Sequence, residues 1–346
     1  MEFKVETVWL KSYKQVNTLI EFLIQFNLEY EKNIDYSLII KNEKDDIIAT
    51  CSKSKNVIKC LAIDYDYQGY GISPILINKI IDKIFEEGFS HFFAFTPDKN
   101  TDIFESLGFN KVFSTNSISL FENGVYKISH YLDKLYKKHS MDDDEKGALV
   151  MNCNPMTLGH LYLINYACQN SKEVLLFIVE EDKSVFSFKD RMNIIRETTK
   201  DLNNLKIMES GDYIISFATF PTYFLKEMDE RIKIYTEMDV GIFGKYFSSK
   251  FNIKRRYIGK EPFDNVTNTY NSAMKDTLPF FGVDVVEIDR LKIDDNIVSA
   301  SLVRKLISDD KLKEACRYLP EATISFLNSH AGREIITRIK DGKYIE

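Results

Sequence analysis

The sequence is poor in features that would mark a secreted, membrane or nucleic-acid-binding chain. Five cysteines, Cys51, Cys60, Cys153, Cys168 and Cys316, are scattered over 346 residues without a Cys-x-x-Cys pair. An odd, dispersed set argues against a disulfide framework or a zinc site and fits a reducing compartment. No apolar run is long enough to span a bilayer. Met1-Glu2-Phe3-Lys4 opens no signal-peptide pattern, so the expectation is a cytoplasmic protein outside the membrane. Positive charge is not in excess: 46 Lys and Arg against 52 Asp and Glu give a net charge of -6 and a pI near 5.6, no overall footprint for nucleic acid. The basic run Lys254-Arg255-Arg256 is local and is followed by Glu261 and Asp264, so it reads equally as a phosphate-side patch or a solvated face. Repeats, low-complexity tracts and an acidic metal cage are also missing. No metal ligand is therefore assigned.

What is present is ordinary globular material, 44% hydrophobic and 28% charged, of a length that suggests two domains. The cleanest break is the charge-dense stretch 137–147, from Lys137-Lys138-His139-Ser140 to Asp142-Asp143-Asp144-Glu145-Lys146-Gly147. This divides the chain into 1–136, a linker, and 148–346. In the first part a helix is expected around 14–27. A hairpin follows from Ser37–Ile40 to Asp46–Thr50, then a strand over Val57–Ile63. The glycine turn Gln68-Gly69-Tyr70-Gly71-Ile72-Ser73 opens a helix through Phe85. A strand at His91–Thr96 and a short helix closing at Phe104–Phe109 lead into a last strand pair.

The second part alternates. Strands are expected at 148–153, 174–179, 205–208, 232–235 and 283–288, and helices at 160–169, 188–199 and 219–228. That order argues for a doubly wound parallel sheet, which binds ligands beyond the carboxyl ends of its strands. At the first such end lies Asn154-Pro155-Met156-Thr157-Leu158-Gly159-His160. It follows the apolar run Ala148–Met151 and precedes Leu161, Leu163, Ile164, Ala167 and Cys168, which recur at helical spacing. Unpaired N–H groups and the helix dipole make such a helix start an anion site. A lone Gly-His at a helix start is, on its own, more often a simple turn.

Two further segments add to it. Phe186-Ser187-Phe188-Lys189-Asp190-Arg191 follows the strand Val174–Val179, and Val298-Ser299-Ala300-Ser301-Leu302-Val303-Arg304 opens another helix. Together with the Thr157-x-Gly159-His160 turn they resemble the nucleotidylyltransferase superfamily in order and spacing, with Thr157 where that family's first histidine stands. The resemblance implies ATP bound at the turn and at the serine-rich helix start. Its catalytic residues would be His160, Thr157 and Arg304. Its ATP-binding residues would be Asn154, Gly159, Arg191, Ser299 and Ser301. Ser299 and Ser301 have the character of a helix cap and first turn, and Arg304 lies one turn on, where a forked cation reaches the same anion. The bland alternatives are a capped helix with a surface arginine, and an Arg191 ion pair with Asp190 or Glu197. Cys153 has no base near it in sequence and reads as a packed thiol. Magnesium is implied by the triphosphate. His91, His130, His139 and His330 have no motif context.

The elements of the first part resemble the GNAT acyl-CoA-binding fold, whose pyrophosphate loop is represented by Gln68-x-x-Gly71-x-Ser73. Ser73 stands where that family has a small apolar residue or glycine, and the later aromatic pair is reduced to Phe104. Gln68, Gly69, Gly71 and Ser73 are thus candidates for holding a CoA-like arm, against a purely structural domain. A GNAT-like domain joined to a Thr-x-Gly-His nucleotidylyltransferase domain is similar to the citrate lyase ligases over nearly the whole chain. Further parts of the likeness are Gly211–Pro221, Gly259-x-Glu261-Pro262 and Thr267-Asn268-Thr269-Tyr270-Asn271. The implied reaction makes acetyl-adenylate from acetate and ATP, with release of pyrophosphate. The acetyl group then passes to the CoA-derived thiol of the citrate lyase acyl-carrier subunit, with release of AMP. Rival readings are a nucleotidyltransferase adenylylating a phosphate ester such as phosphopantetheine, a GNAT acetyltransferase using acetyl-CoA, and a nucleotide sensor without catalysis.

Overall fold

The computed structural model describes residues 3–97, 100–180, 184–214, 228–261 and 265–342. The chain forms two compact units, residues 1–131 with 221–238, and residues 132–220 with 239–346. The first boundary falls within a helix, Ile128–Lys138, rather than in the 137–147 stretch.

The first unit is built on a seven-stranded mixed sheet. Its strands are β1 (Val5–Thr7), β2 (Tyr36–Lys41), β3 (Ile47–Ser54), β4 (Val57–Ile63), β5 (His91–Pro97), β6 (Asn110–Ser114) and β7 (Ile118–Gly124), in the order β1-β2-β3-β4-β5-β7-β6. Strands β1 to β4 run as an antiparallel meander. β4 meets β5 in parallel at only Val57↔Phe93 and Ile58↔Ala94. Alternation decides the layers. Leu38 and Ile40 point into a cluster with Leu76, Ile77 and Ile80 of α2 (Ile72–Glu86), while Ile39 joins Leu19, Phe22 and Leu23 of α1 (Tyr13–Ile24). Both faces of the sheet are thus covered, which is why its inner strands read as continuous apolar runs. A short helix α3 (Thr101–Ser106) carries Phe104, which meets Phe109 edge-on and stacks on Phe121.

Gly69 and Gly71 have φ of +83° and +77°, and Gly71 caps α2 in the left-handed region. A Cβ at either position would meet nothing within 4 Å, so these glycines answer to backbone conformation rather than to crowding by protein.

The second unit is a doubly wound sheet. After α4 (Ile128–Lys138) come β8 (Lys146–Met151), α5 (Leu158–Asn170), β9 (Val174–Ile178), α6 (Phe188–Thr198) and β10 (Leu205–Glu209). Then follow α7 (Met228–Ile242), whose residues up to Met238 belong to the first unit, a π-helical stretch (Phe243–Ser248), α8 (Ser249–Phe251), β11 (Ile253–Gly259), α9 (Asn265–Thr277) and β12 (Asp284–Ile288). A small hairpin, β13 (Lys292–Ile293) and β14 (Asn296–Ile297), precedes α10 (Ala300–Ser308), α11 (Leu312–Ala315), α12 (Glu321–Asn328) and α13 (His330–Lys340). The five strands pair in parallel in the order β10-β9-β8-β11-β12. Strand order therefore reverses between β8 and β11, the place where such sheets open a crevice. β9 is buried throughout, as a central parallel strand must be.

One expected element is corrected. Residues 232–235 are not a strand but part of α7, where Ile232, Tyr235, Met238 and Ile242 are buried at helical spacing. Four residues, Ile232-Lys233-Ile234-Tyr235, are too few to distinguish the two periods. The expected helix at 219–228 lies almost wholly outside the described residues, as does most of the Gly211–Pro221 block. Among the described residues no helix is long and apolar enough to cross a membrane.

Candidate active site

A cleft of about 790 Å³ opens at the reversal point, beyond the carboxyl ends of β8 and β11. Its size falls in the usual range of small-molecule sites, roughly 300–1,000 Å³. Two helix N-termini wall it: Gly159 and His160 from α5, and Ser299, Ala300 and Ser301 from the start of α10. Each helix end carries a partial positive charge on its unpaired N–H groups, and here two converge on one space.

Gly159 allows that convergence. A Cβ on it would lie 2.7 Å from the Val298 carbonyl oxygen, in the segment leading into α10. The obstacle is backbone and cannot swing away. Its value here is therefore close packing of two helix starts rather than a special φ.

Thr157 is the N-cap of α5 and is wholly buried. Its Oγ1 accepts from the His160 N–H at 3.3 Å, and its own N–H donates to His160 Nδ1 at 3.1 Å. This is a capping box in which histidine replaces the usual acidic or amide residue. It has a chemical consequence. The Thr157 amide can only donate, so Nδ1 accepts and the ring proton sits on Nε2. The Thr157 hydroxyl, 2.8 Å from Nδ1, can then donate to the same nitrogen. Burial, aided by the nearby Arg290 charge, pushes the His160 pKa down to about 4. His160 is thus a neutral Nε2–H donor on the cleft wall.

Ser299 caps α10, its Oγ accepting from the Leu302 N–H at 3.1 Å. Ser301 is exposed at the cleft. Arg304 Nη1 donates to the Asn154 carbonyl at 2.6 Å and its Nη2 to Ser301 Oγ at 3.4 Å, and it is not among the residues lining the cleft. Asn154 likewise faces structure, its Oδ1 accepting from the Phe186 N–H at 3.0 Å. Arg191 is fully buried and gives its guanidinium to the carbonyls of Asn152, Val179 and Phe186, and to Asn152 Oδ1. Asp190 accepts from the Ser187 hydroxyl at 2.6 Å. These three residues tie the turn after β8 to α6 and α10. Cys153 is buried beneath them, its pKa raised to about 12 by desolvation, which suits a packed thiol.

Arg290 was not anticipated as a cleft residue, and Arg256, left open between a phosphate-side patch and a solvated face, lines the cleft with it. In β11 the register shifts between Ile253 and Arg255, so Lys254 and Arg255 both face outward while Arg256 turns inward onto the Phe243 ring, 4.3 Å away. A bulge of this kind leaves no mark in the sequence pattern. Glu261 ion-pairs with Arg290, and Asn271 Nδ2 donates to the Gly259 carbonyl at 2.9 Å. Among the described residues no cluster of three or more His, Cys, Asp or Glu is arranged to hold a metal ion.

A parallel doubly wound sheet with two helix starts facing one crevice defines the class, an α/β protein with a ligand cleft at its topological switch point. Comparisons narrow it. A family model described as the citrate lyase ligase C-terminal domain matches residues 146–327. The [citrate [pro-3S]-lyase] ligase of Escherichia coli (strain K12) is 31% identical over 94% of this chain and 95% of its own length. The ligase of the same name from Haemophilus influenzae is 33% identical over 91% of this chain and 95% of its own, and that from Klebsiella pneumoniae 31% over 94% and 96%. The chain belongs to the citrate lyase ligase family.

Gly159→Ala tests the convergence of the two helix starts. Alanine normally gains about 1 kcal/mol over glycine inside a helix. Here the backbone clash should reverse the sign and cost about 1–3 kcal/mol in chemical denaturation. Unchanged or increased stability would contradict the geometry.

His160 offers a second test. In ¹⁵N NMR its ring should be the Nε2–H tautomer at pH 7 and should not protonate until the pH approaches 4. Because the folded pKa lies below the unfolded value near 6.5, the stability tied to the neutral ring is complete above pH 6.5. It is lost as pH falls toward 4. Titration near 6.5 with mixed tautomers would refute the capping-box assignment.

Proposed function

We propose that this protein acetylates the prosthetic-group thiol of the citrate lyase acyl-carrier subunit using ATP, through an acetyl-adenylate. The observation that carries the reading is His160: a neutral Nε2–H donor held between two converging helix N-termini, in a member of the citrate lyase ligase family.

Adenylyl transfer asks the protein mainly to hold the triphosphate in line and to neutralise developing charge. His160 donates to the phosphate under attack. Thr157 acts through it, fixing tautomer and orientation. Ser299, Ser301 and the free amides of α10 receive the outer phosphates, and Gly159 keeps the two helix starts close enough to share one polyanion. Arg304 and Asn154 position this wall, and on nucleotide binding Arg304 can exchange the weak Ser301 contact for phosphate. Arg191 serves by bracing the turn. Magnesium fits as an ion carried in by the triphosphate, since an anionic ligand would supply most of its oxygens.

Acetate attacks the α-phosphorus, its carboxylate oxygen forming the new P–O bond as pyrophosphate leaves. The carrier thiol then attacks the acetyl carbon and AMP departs. The turn Gln68-Gly69-Tyr70-Gly71 with Ser73 is the proposed seat of the CoA-derived arm: Gly71 leaves the start of the 15-residue α2 without a side-chain cap, so its amides remain available to a pyrophosphate.

Pyrophosphate release with magnesium-ATP should depend on acetate, and the carrier should gain one acetyl group by mass. Gly71→Leu should raise the carrier KM while leaving acetate-dependent ATP–pyrophosphate exchange within about twofold. Release driven by phosphopantetheine with an intact AMP phosphodiester in the product would move the assignment to a phosphate-ester adenylyltransferase, and acetyl transfer from acetyl-CoA without ATP would move it to an acetyltransferase.

A further inference from the structure

Arg290 is a cleft residue that the motifs did not anticipate, and its surroundings are unusually specific. β11 and β12 pair in parallel with Gly259 opposite Ile288, so the residues two beyond each strand, Glu261 and Arg290, come side by side at the mouth of the crevice. Arg290 Nε donates to the Lys260 carbonyl at 2.7 Å, and its Nη2 donates to the Glu261 carboxylate, whose side chain is only 9% exposed. The Nε–H and one Nη2–H lie on the same edge of the guanidinium. Binding that edge fixes the plane of the group and leaves the Nη1 and outer Nη2 hydrogens as a second fork.

An ion pair held in a partly desolvated cleft is an expensive way to gain stability. It is a good way to hold a directional donor. The Glu261 charge offsets that of Arg290, which weakens its pull on a polyanion but keeps the planar fork that matches a carboxylate. The polyphosphate has its own receptor in the two helix N-termini on the α5–α10 wall. Arg290 is also near enough to His160 for its charge to act on the imidazole, so the two donors address the same part of the cleft.

We infer that Arg290, held in plane by Glu261 and the Lys260 carbonyl, receives the carboxylate of the acyl substrate and sets specificity for a small monocarboxylate. This rests on the ligase reading above. Glu261 is a positioning residue acting through Arg290.

The test measures acetate KM in pyrophosphate release at saturating ATP, and the Kd of α,β-methylene-ATP by calorimetry, for the wild type and for Arg290→Gln, Arg290→Lys and Glu261→Gln. Arg290→Gln should raise acetate KM roughly 10–100-fold, the loss expected for a charged forked hydrogen bond, with the nucleotide Kd within about threefold. Arg290→Lys should restore little, because a point charge does not replace a fork. Glu261→Gln should raise acetate KM by a smaller factor. Inorganic phosphate should also become a better competitor of acetate in that variant, since the unneutralised arginine favours a dianion. The nucleotide Kd also reports whether the variants remain folded. A weakened nucleotide Kd with unchanged acetate KM would overturn the inference and make Arg290 a phosphate ligand. No change in either would reduce the pair to a structural tie. A wild type that releases pyrophosphate only with a phosphate-ester acceptor would overturn the ligase reading itself, and this inference with it.

Discussion

The reciprocal pair between Thr157 and His160 is the constraint on which the site depends. A capping box ordinarily satisfies two orphan amides and has no further role. With histidine as its far member, the same two hydrogen bonds also choose a tautomer, and desolvation keeps the ring neutral. A protonated ring would be the stronger electrostatic partner for a phosphate, but it would have to break the bond from the Thr157 amide, which has no lone pair to offer an Nδ1–H. The helix start therefore settles for a weaker donor in a fixed direction. Much of the remaining positive field comes from the backbone of α5 and α10, which needs no proton and costs no reorganisation during reaction.

The surrounding framework exists to keep that geometry. Gly159 admits the Val298 carbonyl, Arg304 ties Asn154 to the first turn of α10, and Arg191 gathers the carbonyls at the ends of β8 and β9 from a fully buried position. Burying a guanidinium is tolerable only when its donors are satisfied. Here two arginines hold the turn after β8 through its backbone carbonyls.

Much of the fold was legible in local pattern. The apolar run before Asn154, the glycine after Leu158 and the helical spacing of Leu161, Ile164 and Cys168 define β8, the turn and α5 directly, and the turns bounding β2 to β5 do the same for the first unit. The failures have physical causes. Ile232–Tyr235 is too short a run to show its period, and only its continuation through Met238 and Ile242 makes it a helix. The bulge in β11 hid which residue of Lys254-Arg255-Arg256 turns inward. Glu261 and Arg290 lie far apart in sequence and meet only through the register of two parallel strands, which no single segment encodes. Motif membership alone does not reveal that Arg191 satisfies backbone carbonyls or that the Asn154 side chain accepts from the Phe186 amide.

The most direct test of the account is a crystal structure of the protein with magnesium and α,β-methylene-ATP, which cannot transfer its adenylyl group to acetate. The account predicts the α-phosphate within hydrogen-bonding distance of His160 Nε2, with the outer phosphates on the Ser299–Ser301 start of α10 and the Thr157–His160 pair intact. A triphosphate bound elsewhere, or His160 turned away from Thr157 with Nδ1 on the phosphate, would contradict it.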